Sequence, residues 1–477
     1  MKDKKLVLII GLVLAAALVG WTVMTLTGLP AVPDAAALGG AESQAYLDAK
    51  AEYDTARGNA EAYLTLGVLG VVAFFFMFEP IPLAMAAMFV PVYFCFSGIL
   101  TYKEAFSSLL DSSITLFAGM FVVGGAMFQT GLAQKVGLAC VKLAGGSQTK
   151  LIIALMLVTG TLSAFLSNTG TVAVLLPVCL GIADSNGWNR GRLLMPVAIM
   201  ASAGGMCTMA GTPPNMTSAS TLASAGIEFG FFEFAWFGIP ASILAIVYML
   251  FIGNRLLPDR KVDVVVEDEE EGKVYDPKKQ VIVGTILIAV IVFMALDIVS
   301  LSAVAVFGGL LCVVTGCCTE KEAYASIDWA TIFLFIGAIS LANAMSTTGA
   351  GPMMAMKVVG MLGESPDPLI LLIVLFAIAG TLTQFMSNTA AAALLCPVGL
   401  NIAQALGADP TSVVLAIGFA CCSAYVTPVA TPPNTMVYGP GGFSFMDYVK
   451  CGGPLFILTF VLAAVLLPII WPMFPAA

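Results

Sequence analysis

The sequence has no histidine, and this absence excludes several kinds of active site. Without an imidazole there is no histidine acid–base catalysis, no Ser-His-Asp triad and no metal site with a histidine ligand. Basic residues are also few, 20 Lys and Arg against 29 Asp and Glu, so no basic face for nucleic acid is expected. An enzyme and a nucleic-acid-binding protein are therefore both disfavoured.

The eleven cysteines do not form a CxxC pair. Most of them lie within apolar runs, where a cysteine usually behaves as a small hydrophobic side chain. We interpret them as residues packed between helices, and no metal or redox centre is expected from them.

Charge is scarce in the whole chain, since charged residues make up 10% and apolar residues 59% of 477 positions. Soluble domains carry about 25% charged residues, so lipid is the expected solvent for most of this chain. The apolar run at about 6–26 follows Met-Lys-Asp-Lys-Lys. It is longer than the apolar core of a signal peptide, which favours a first transmembrane helix, and a cleaved signal peptide is the alternative.

The basic residues of the short loops predict the orientation in the cell (inner) membrane. Lys2, Lys4 and Lys5 place the N-terminus in the cytoplasm, and the count of spans places the C-terminus outside. The number of membrane crossings agrees with the sides assigned to the basic loops only under one condition. Residues about 150–184 must enter the membrane from the cytoplasmic side and return to it, and residues about 367–407 must do the same from the external side. Both segments are therefore predicted to be re-entrant hairpins.

The second half of the chain repeats the first. Three pairs of segments show this: 163–169 and 383–389, 212–215 and 431–434, and 103–106 and 321–324, at spacings of 220, 219 and 218 (383 − 163, 431 − 212 and 321 − 103). Because the chain crosses the membrane an odd number of times between paired segments, the repeats are predicted to be inverted. Inverted repeats with interrupted helices are typical of secondary transporters.

These patterns predict the organisation of the chain. We expect a first transmembrane helix and an external loop in 1–58, inverted repeat 1 in 59–253, an acidic cytoplasmic linker in 254–279, and inverted repeat 2 in 280–477. Each repeat should hold one hairpin and one broken helix, the latter at about 193–225 and about 411–449. The fold class is an all-α polytopic membrane protein.

The motif Ser-Asn-Thr lies in both predicted hairpins, at 167–169 and 387–389. Its hydroxyl and amide oxygens suit a hard cation such as Na⁺. The residues that follow can begin a helix, whose N–H groups and dipole favour an anion. One hairpin tip can therefore present oxygens to Na⁺ and donors to a carboxylate.

The motif Thr-Pro-Pro-Asn, at 212–215 and 431–434, breaks a helix by removing backbone donors. It frees carbonyl groups around Gly211 and Ala430. None of the residues in these motifs is Lys, Arg, Asp or Glu, so bound Na⁺ would have to supply the positive charge that a dianion needs. Coupling between Na⁺ and an anion follows from this electrostatic argument.

With these paired motifs the sequence resembles the divalent anion:sodium symporter (DASS) family. The resemblance implies about 11 transmembrane helices, a homodimer in the lipid bilayer and an elevator motion of a transport domain. It implies two Na⁺ sites, the first at Ser163, Ser167, Asn168 and Gly211, and the second at Thr383, Ser387, Asn388 and Ala430. It also implies that the anion meets Ser167, Asn168, Thr169, Ser387, Asn388 and Thr389.

The expected function is Na⁺-coupled symport of a divalent organic anion, such as the C4-dicarboxylates succinate and malate. The first tip continues as Gly170-Thr171 and the second as Ala390-Ala391, so the second tip has fewer hydroxyls. The identity of the transported anion therefore stays open. Alternatives are an anion exchanger, a sulfate or citrate carrier, and a related transporter of arsenite or citrate driven by protons or metal ions. An ion channel is the alternative of a different class.

Overall fold

The structure is a computed structural model that describes residues 2–38, 43–110, 112–136, 147–258, 275–296, 299–354 and 368–472. The acidic cluster 267–271 of the predicted linker, residue 367 at the start of the second predicted hairpin, and Cys140 lie outside the described residues. The described residues form helices and turns, and no strand occurs among them. The prediction of an all-helical chain is confirmed.

The helices of the first half are α1 (Lys2–Thr27), α2 (Gln44–Phe78), α3 (Leu83–Phe96), α4 (Tyr102–Ala105), α5 (Ser112–Gln129), α6 (Gln148–Phe165), α7 (Asn168–Asn186), α8 (Gly191–Gly205), α9 (Pro213–Ser224) and α10 (Ala235–Leu256). Those of the second half are α11 (Pro277–Leu296), α12 (Leu301–Val314), α13 (Glu320–Ser326), α14 (Trp329–Thr347), α15 (Pro368–Leu382), α16 (Asn388–Ala405), α17 (Pro410–Cys422), α18 (Pro432–Tyr438) and α19 (Phe445–Ile470). Residues 132–136 and 350–354 are also helical.

Eight helices in the described part of the chain are long and apolar enough to cross a membrane: α1, α2, α6, α7, α10, α11, α14 and α19. Further apolar helices of 10–17 residues are found in α3, α5, α12, α15 and α17. These lengths fit a polytopic membrane protein, because about 20 apolar residues span a bilayer. The total of about 11 spans stays a prediction.

The order of helices α2–α10 recurs as α11–α19. Three pairs of helix starts show this: Leu83 and Leu301, Asn168 and Asn388, and Pro213 and Pro432, at spacings of 218, 220 and 219 (301 − 83, 388 − 168 and 432 − 213). Local details recur as well, since Thr101 and Glu104 form a capping box on α4, and Thr319 and Glu322 form one on α13. Hydrogen bonds from Thr319 lower the pKa of Glu322, as those from Thr101 do for Glu104. The inverted orientation of the repeats stays a prediction.

Among the described residues, helices from both repeats form a deeply buried centre. Residues 193–205 of α8 and 411–422 of α17 are buried throughout. The two repeats exchange partners: α5 packs on α12 and α3 on α14, while α9 packs on α17 and α18 packs on α8. This exchange brings the two hairpins and the two broken helices into one centre.

Residues 44–58 differ from the expectation of an external loop, because the structure has them in α2. Ser43 caps this helix by accepting a hydrogen bond from the Tyr46 N–H at 3.2 Å. Arg57 and Glu61 form an ion pair of 2.7 Å one turn apart. Such a cap and an i,i+4 pair stabilise a polar helical extension beyond the apolar span.

Candidate functional site

Each Ser-Asn-Thr motif lies where one helix ends and the next begins. In the first repeat α6 ends at Phe165, Leu166 is extended, and Ser167 caps α7 by accepting the Gly170 N–H at 3.1 Å. In the second repeat Ser387 occupies the same N-cap position before α16. The polar residues are therefore at helix N-termini, where N–H groups without helical partners can receive an anion.

The Asn168 side chain lies in a cluster of oxygen atoms. One terminal atom of its amide is 2.7 Å from Ser163 Oγ, 3.0 Å from the Ala201 carbonyl oxygen and 2.9 Å from the Gly211 carbonyl oxygen. With the amide nitrogen in this position, Asn168 donates hydrogen bonds to these oxygens. With the amide oxygen there, four oxygens converge, which is the ligand set that a hard cation takes.

The backbone reaches Asn168 closely because two glycines lie beside it. A Cβ on Gly205 would be 2.5 Å from Asn168 Oδ1, and a Cβ on Gly211 would clash with the Gly205 carbonyl oxygen and lie 2.9 Å from that of Ser163. Only glycine permits this approach. Of the first predicted Na⁺ residues, Ser163, Asn168 and Gly211 are thus neighbours in space, and Ser167 precedes Asn168 in the chain.

The hydrogen bonds of the first tip recur in the second. Ser163 Oγ donates to the Ala201 carbonyl at 2.7 Å, and Thr383 Oγ1 donates to the Cys421 carbonyl at 3.0 Å. Thr383 Oγ1 also lies 3.1 Å from Asn388 Oδ1. The two tips therefore have the same design, with a buried hydroxyl behind the asparagine.

The helix breaks at the Thr-Pro-Pro-Asn motifs are held by their asparagines. Asn215 Nδ2 donates to the Gly205 and Thr208 carbonyls at 3.3 and 2.8 Å. Asn434 Nδ2 donates to the Ala424 and Thr427 carbonyls, both at 2.9 Å. The helix breaks were predicted from the prolines of these motifs, whereas this role of the asparagines depends on the fold.

Gln384 distinguishes the second tip from the first. Its Nε2 donates to the Gly380 and Ser423 carbonyls at 2.8 and 3.0 Å, and its Oε1 accepts the Val426 N–H at 2.9 Å. The corresponding residue of the first repeat is Ala164 (384 − 220). An additional side chain thus ties the second hairpin to the break in its partner helix.

Both tips and both helix breaks face one cavity of about 410 Å³. It is lined by Ser167, Asn168, Thr169, Gly211, Thr212, Pro213, Ser387, Asn388, Thr389, Thr431 and Pro432, together with residues of α3, α5, α9 and the α13–α14 corner. Ala430 does not line it, although the next residue does. Ser163 and Thr383 are fully buried behind the tips.

One part of the cavity wall is not among the residues predicted from the sequence. Ser326, Asp328 and Thr331, at the α13–α14 corner, line the same cavity. The predicted site residues carry no charge, but the cavity does, through Asp328. A capping Asp before the apolar run of α14 is visible in the sequence, yet its closeness to the tips depends on tertiary packing.

A smaller cavity of about 240 Å³ adjoins the first. The two share the lining residues Phe121, Ser167, Ala210, Met216 and Ser326. Its lining continues along one face of α5, through Gly124, Gly125, Phe128 and Gln129. The lining of this cavity therefore runs from the first tip along the C-terminal half of α5.

Comparison with known proteins identifies the family. The sequence matches the citrate transporter family (CitMHS) over residues 73–418 and 353–477. The chain belongs to the citrate transporter family. A 30% identical relative is an uncharacterized transporter of Haemophilus influenzae, over 85% of this chain and 91% of the relative.

Other relatives of this citrate transporter family member are also transporters. The sodium-dependent dicarboxylate transporter SdcS of Staphylococcus aureus is 26% identical over 87% of this chain and 86% of its own length. The structure of the YdaH transporter of Alcanivorax borkumensis matches with a TM-score of 0.59 at 14% identity, over 80% of this chain and 90% of that one. The predictions of a membrane transporter and not an enzyme are confirmed, and relatives of the kind that the DASS resemblance implied are present.

Proposed function

We propose that this chain is a secondary transporter that carries small divalent organic anions, such as C4-dicarboxylates, together with Na⁺. The observation that carries the proposal is the single cavity into which both Ser-Asn-Thr tips open, each with a buried hydroxyl and carbonyl oxygen behind its asparagine. The sodium-dependent dicarboxylate transporter SdcS, a relative over most of both chains, supports the same choice of substrate and ion.

Two Na⁺ ions are proposed to bind at the asparagines. The first site uses Ser163, Ser167, Asn168 and Gly211. With the Asn168 amide oxygen turned inward, it converges with Ser163 Oγ and the carbonyl oxygens of Ala201 and Gly211. The second uses Thr383, Ser387, Asn388 and the backbone at Ala430. Neutral oxygens of this kind suit Na⁺ better than a transition metal.

The anion is proposed to lie between the two tips, with one carboxylate at each. Ser167, Asn168 and Thr169 would hold one carboxylate, and Ser387, Asn388 and Thr389 the other. The N-termini of α7 and α16 add their backbone donors and dipoles. Two Na⁺ ions would balance the two negative charges, so that each partner strengthens the binding of the other.

Transport is proposed to proceed by an elevator motion between two faces of the membrane. The path along α5 is lined by Gly124, Gly125, Phe128 and Gln129; their counterparts on α14, Ala342, Asn343, Ser346 and Thr347 (each + 218), line a separate cavity of about 540 Å³. The first path meets a tip, at Ser167 and Gly170. The second cavity meets α16 further along the helix, at Leu400 and Gln404. The counterparts of Ser167 and Gly170 are Ser387 and Ala390, so this contact lies 13 and 14 residues beyond the second tip (400 − 387 and 404 − 390).

Inverted repeats give this difference a simple interpretation. In the other state the second tip would move to the cavity on α14 and the first tip would leave the path on α5. At 1.5 Å rise per residue, the shift of α16 along α14 amounts to about 20 Å. We further propose a homodimer in the cell membrane with a cytoplasmic N-terminus and an external C-terminus, which follows from the family resemblance and the positive-inside count.

The test is uptake of labelled succinate into proteoliposomes, with and without an inward Na⁺ gradient. The expected result is Na⁺-stimulated uptake that Asn168→Ala abolishes. Asn186→Ala, which removes an exposed asparagine at the far end of α7, is the matched control and should transport normally. Normal sodium dependence in the Asn168 variant would contradict the assignment of this site.

Unlabelled malate, citrate and sulfate added in competition distinguish the candidate anions. Citrate is the second candidate, because the family is named for citrate transport. Uptake that needs internal anion but no Na⁺ gradient would indicate an exchanger. Unitary currents across a planar bilayer would indicate a channel and overturn the proposal.

A further inference from the structure

The anion cavity contains a negative charge. Among the described residues that line it, Asp328 alone has an ionisable side chain, and no Lys or Arg is among them. The side chain is exposed, and no ion pair with it occurs in the described part of the chain. A site proposed for a dianion thus has a carboxylate in its wall. Two Na⁺ ions already neutralise one dianion, so the additional negative charge of Asp328 needs its own explanation.

The Asp328 carboxylate is held by Thr331 at the start of α14. Its Oδ1 accepts the Thr331 N–H at 3.2 Å, and its Oδ2 accepts the Thr331 hydroxyl at 2.5 Å. The helix N-terminus also stabilises a negative charge at this position. An ionised carboxylate has about four acceptor sites, so these two bonds leave acceptor capacity for a group in the cavity.

A fixed carboxylate favours some anions over others. It repels a bare dianion, and it attracts a ligand that places a hydrogen-bond donor against it. A plain dicarboxylate such as succinate has no hydrogen-bond donor, since its only polar atoms are the carboxylate oxygens. A dicarboxylate with a hydroxyl or ammonium substituent offers a donor, and the ammonium also removes one negative charge from the sum.

We propose that Asp328 is a specificity-determining residue that accepts a hydrogen bond from a hydroxyl or ammonium substituent of the transported dicarboxylate. This inference rests on the proposed function and deepens it, since it names the class of substrate. The tips bind the two carboxylates that the dicarboxylates share, and the α13–α14 corner contacts the substituent on the carbon chain between them.

The experiment measures inhibition of labelled succinate uptake by unlabelled succinate, malate and aspartate at saturating Na⁺. These three differ at one carbon, which carries no donor, a hydroxyl or an ammonium. The variant Asp328→Asn removes the charge but keeps a good N-cap, and Asp328→Ser is a second capping variant without charge. Glu322→Gln is the control, because Glu322 is a carboxylate in the capping box at the start of the neighbouring helix α13 and does not line the cavity.

In the unmodified protein malate or aspartate should inhibit at a lower concentration than succinate. In Asp328→Asn that advantage should fall about tenfold or more, as expected for a hydrogen bond to a charged group, while succinate itself binds more tightly. If malate loses more of its advantage over succinate, the donor is the hydroxyl; if aspartate loses more, the donor is the ammonium. Glu322→Gln should keep the original ranking.

The inference is overturned if the ranking of the three anions is the same in Asp328→Asn and Asp328→Ser as in the unmodified protein, or if all three weaken equally. It is also overturned if succinate is preferred from the outset. These outcomes still leave Na⁺-stimulated succinate uptake in place, so they differ from failure of the proposed function, in which no anion is taken up by any form of the protein.

Discussion

Asn168 and Gly205 are in such close contact that a Cβ on Gly205 would lie 2.5 Å from a terminal atom of the Asn168 amide. Gly205 is the last residue of α8, next to the helix break. The Asn168 amide can therefore lie here only because residue 205 of α8 has no side chain. Its place beside Ser163 and Gly211 depends on that contact.

Gly205→Ala should displace Asn168 and disturb the first Na⁺ site. Overpacking of this kind costs about 1–3 kcal/mol, and we expect Na⁺-stimulated uptake to fall at least tenfold. The matched control is Gly181→Ala in the C-terminal half of α7, where an added Cβ would meet nothing within 4 Å. Proteoliposome uptake as a function of Na⁺ concentration is the measurement, and equal curves for the two variants would contradict this role of Gly205.

Ser185 and Ala405 test the inverted repeats, because they are counterparts at a spacing of 220 (405 − 185) and both are exposed at the ends of their helices, α7 and α16. Introduced cysteines at the two positions should react with a membrane-impermeant maleimide from opposite sides, Ser185→Cys from the cytoplasm and Ala405→Cys from outside. Labelling of both from one side would show that the repeats are parallel. It would then contradict the proposed movement, in which the second tip takes up at α14 the position that the first tip has at α5.

Gln384→Ala should weaken the second site more than the fold. The substitution leaves the Val426 N–H and the Ser423 carbonyl without this partner, at a cost of about 1–3 kcal/mol. Alanine is tolerated at the counterpart, Ala164, so the helix break itself should persist. We expect a lower melting temperature and less stabilisation by added Na⁺, since a ligand stabilises only the state that binds it.

The control for Gln384→Ala is Gln148→Ala at the first turn of α6, far along the chain from the tip. A thermal melt of purified protein, with and without Na⁺, compares the two. If Na⁺ raises the melting temperature of the Gln384 variant as much as it raises that of the unmodified protein, Gln384 does not shape the ion site.

The sequence predicted the helix breaks well because their signals are local. Ser-Asn-Thr gives an N-cap at 167 and at 387, and Thr-Pro-Pro-Asn gives a helix start at Pro213 and at Pro432, as the structure has them. Apolar runs likewise predicted most spans. These features depend on capping and hydrogen bonding within a few residues.

What the sequence did not predict depends on contacts between distant segments. Asp328 is 160 residues from Asn168 in the chain (328 − 168), and only the packing of the two repeats brings both to one cavity. The polar stretch 44–58 looks like a loop by composition, although Ser43 caps it as a helix. The replacement of Ala164 by Gln384 between the repeats was visible, but its bonding to the helix break was not.

Thr169 and Thr389 are expected to serve the anion and not the ions. Each follows the asparagine at the start of its helix and lines the cavity, whereas Ser163 and Thr383 are buried behind the tips. Their hydroxyls can donate to a carboxylate. A hydrogen bond to a charged group contributes roughly 1.5–3 kcal/mol, so Thr169→Val or Thr389→Val should weaken apparent succinate affinity about tenfold or more.

The decisive measurement separates the two kinds of binding. Valine keeps the shape of threonine and removes the donor, so the affinity for Na⁺ measured without substrate should be nearly unchanged in both variants. Linkage then requires that substrate strengthen Na⁺ binding by the same factor that Na⁺ strengthens substrate binding. Thr217→Val on α9, whose hydroxyl bonds its own helix at the Pro213 carbonyl, is the matched control and should alter neither affinity. If the tip variants instead weaken Na⁺ binding in the absence of any anion, Thr169 and Thr389 belong to the ion sites, and the division between tip and interior is wrong.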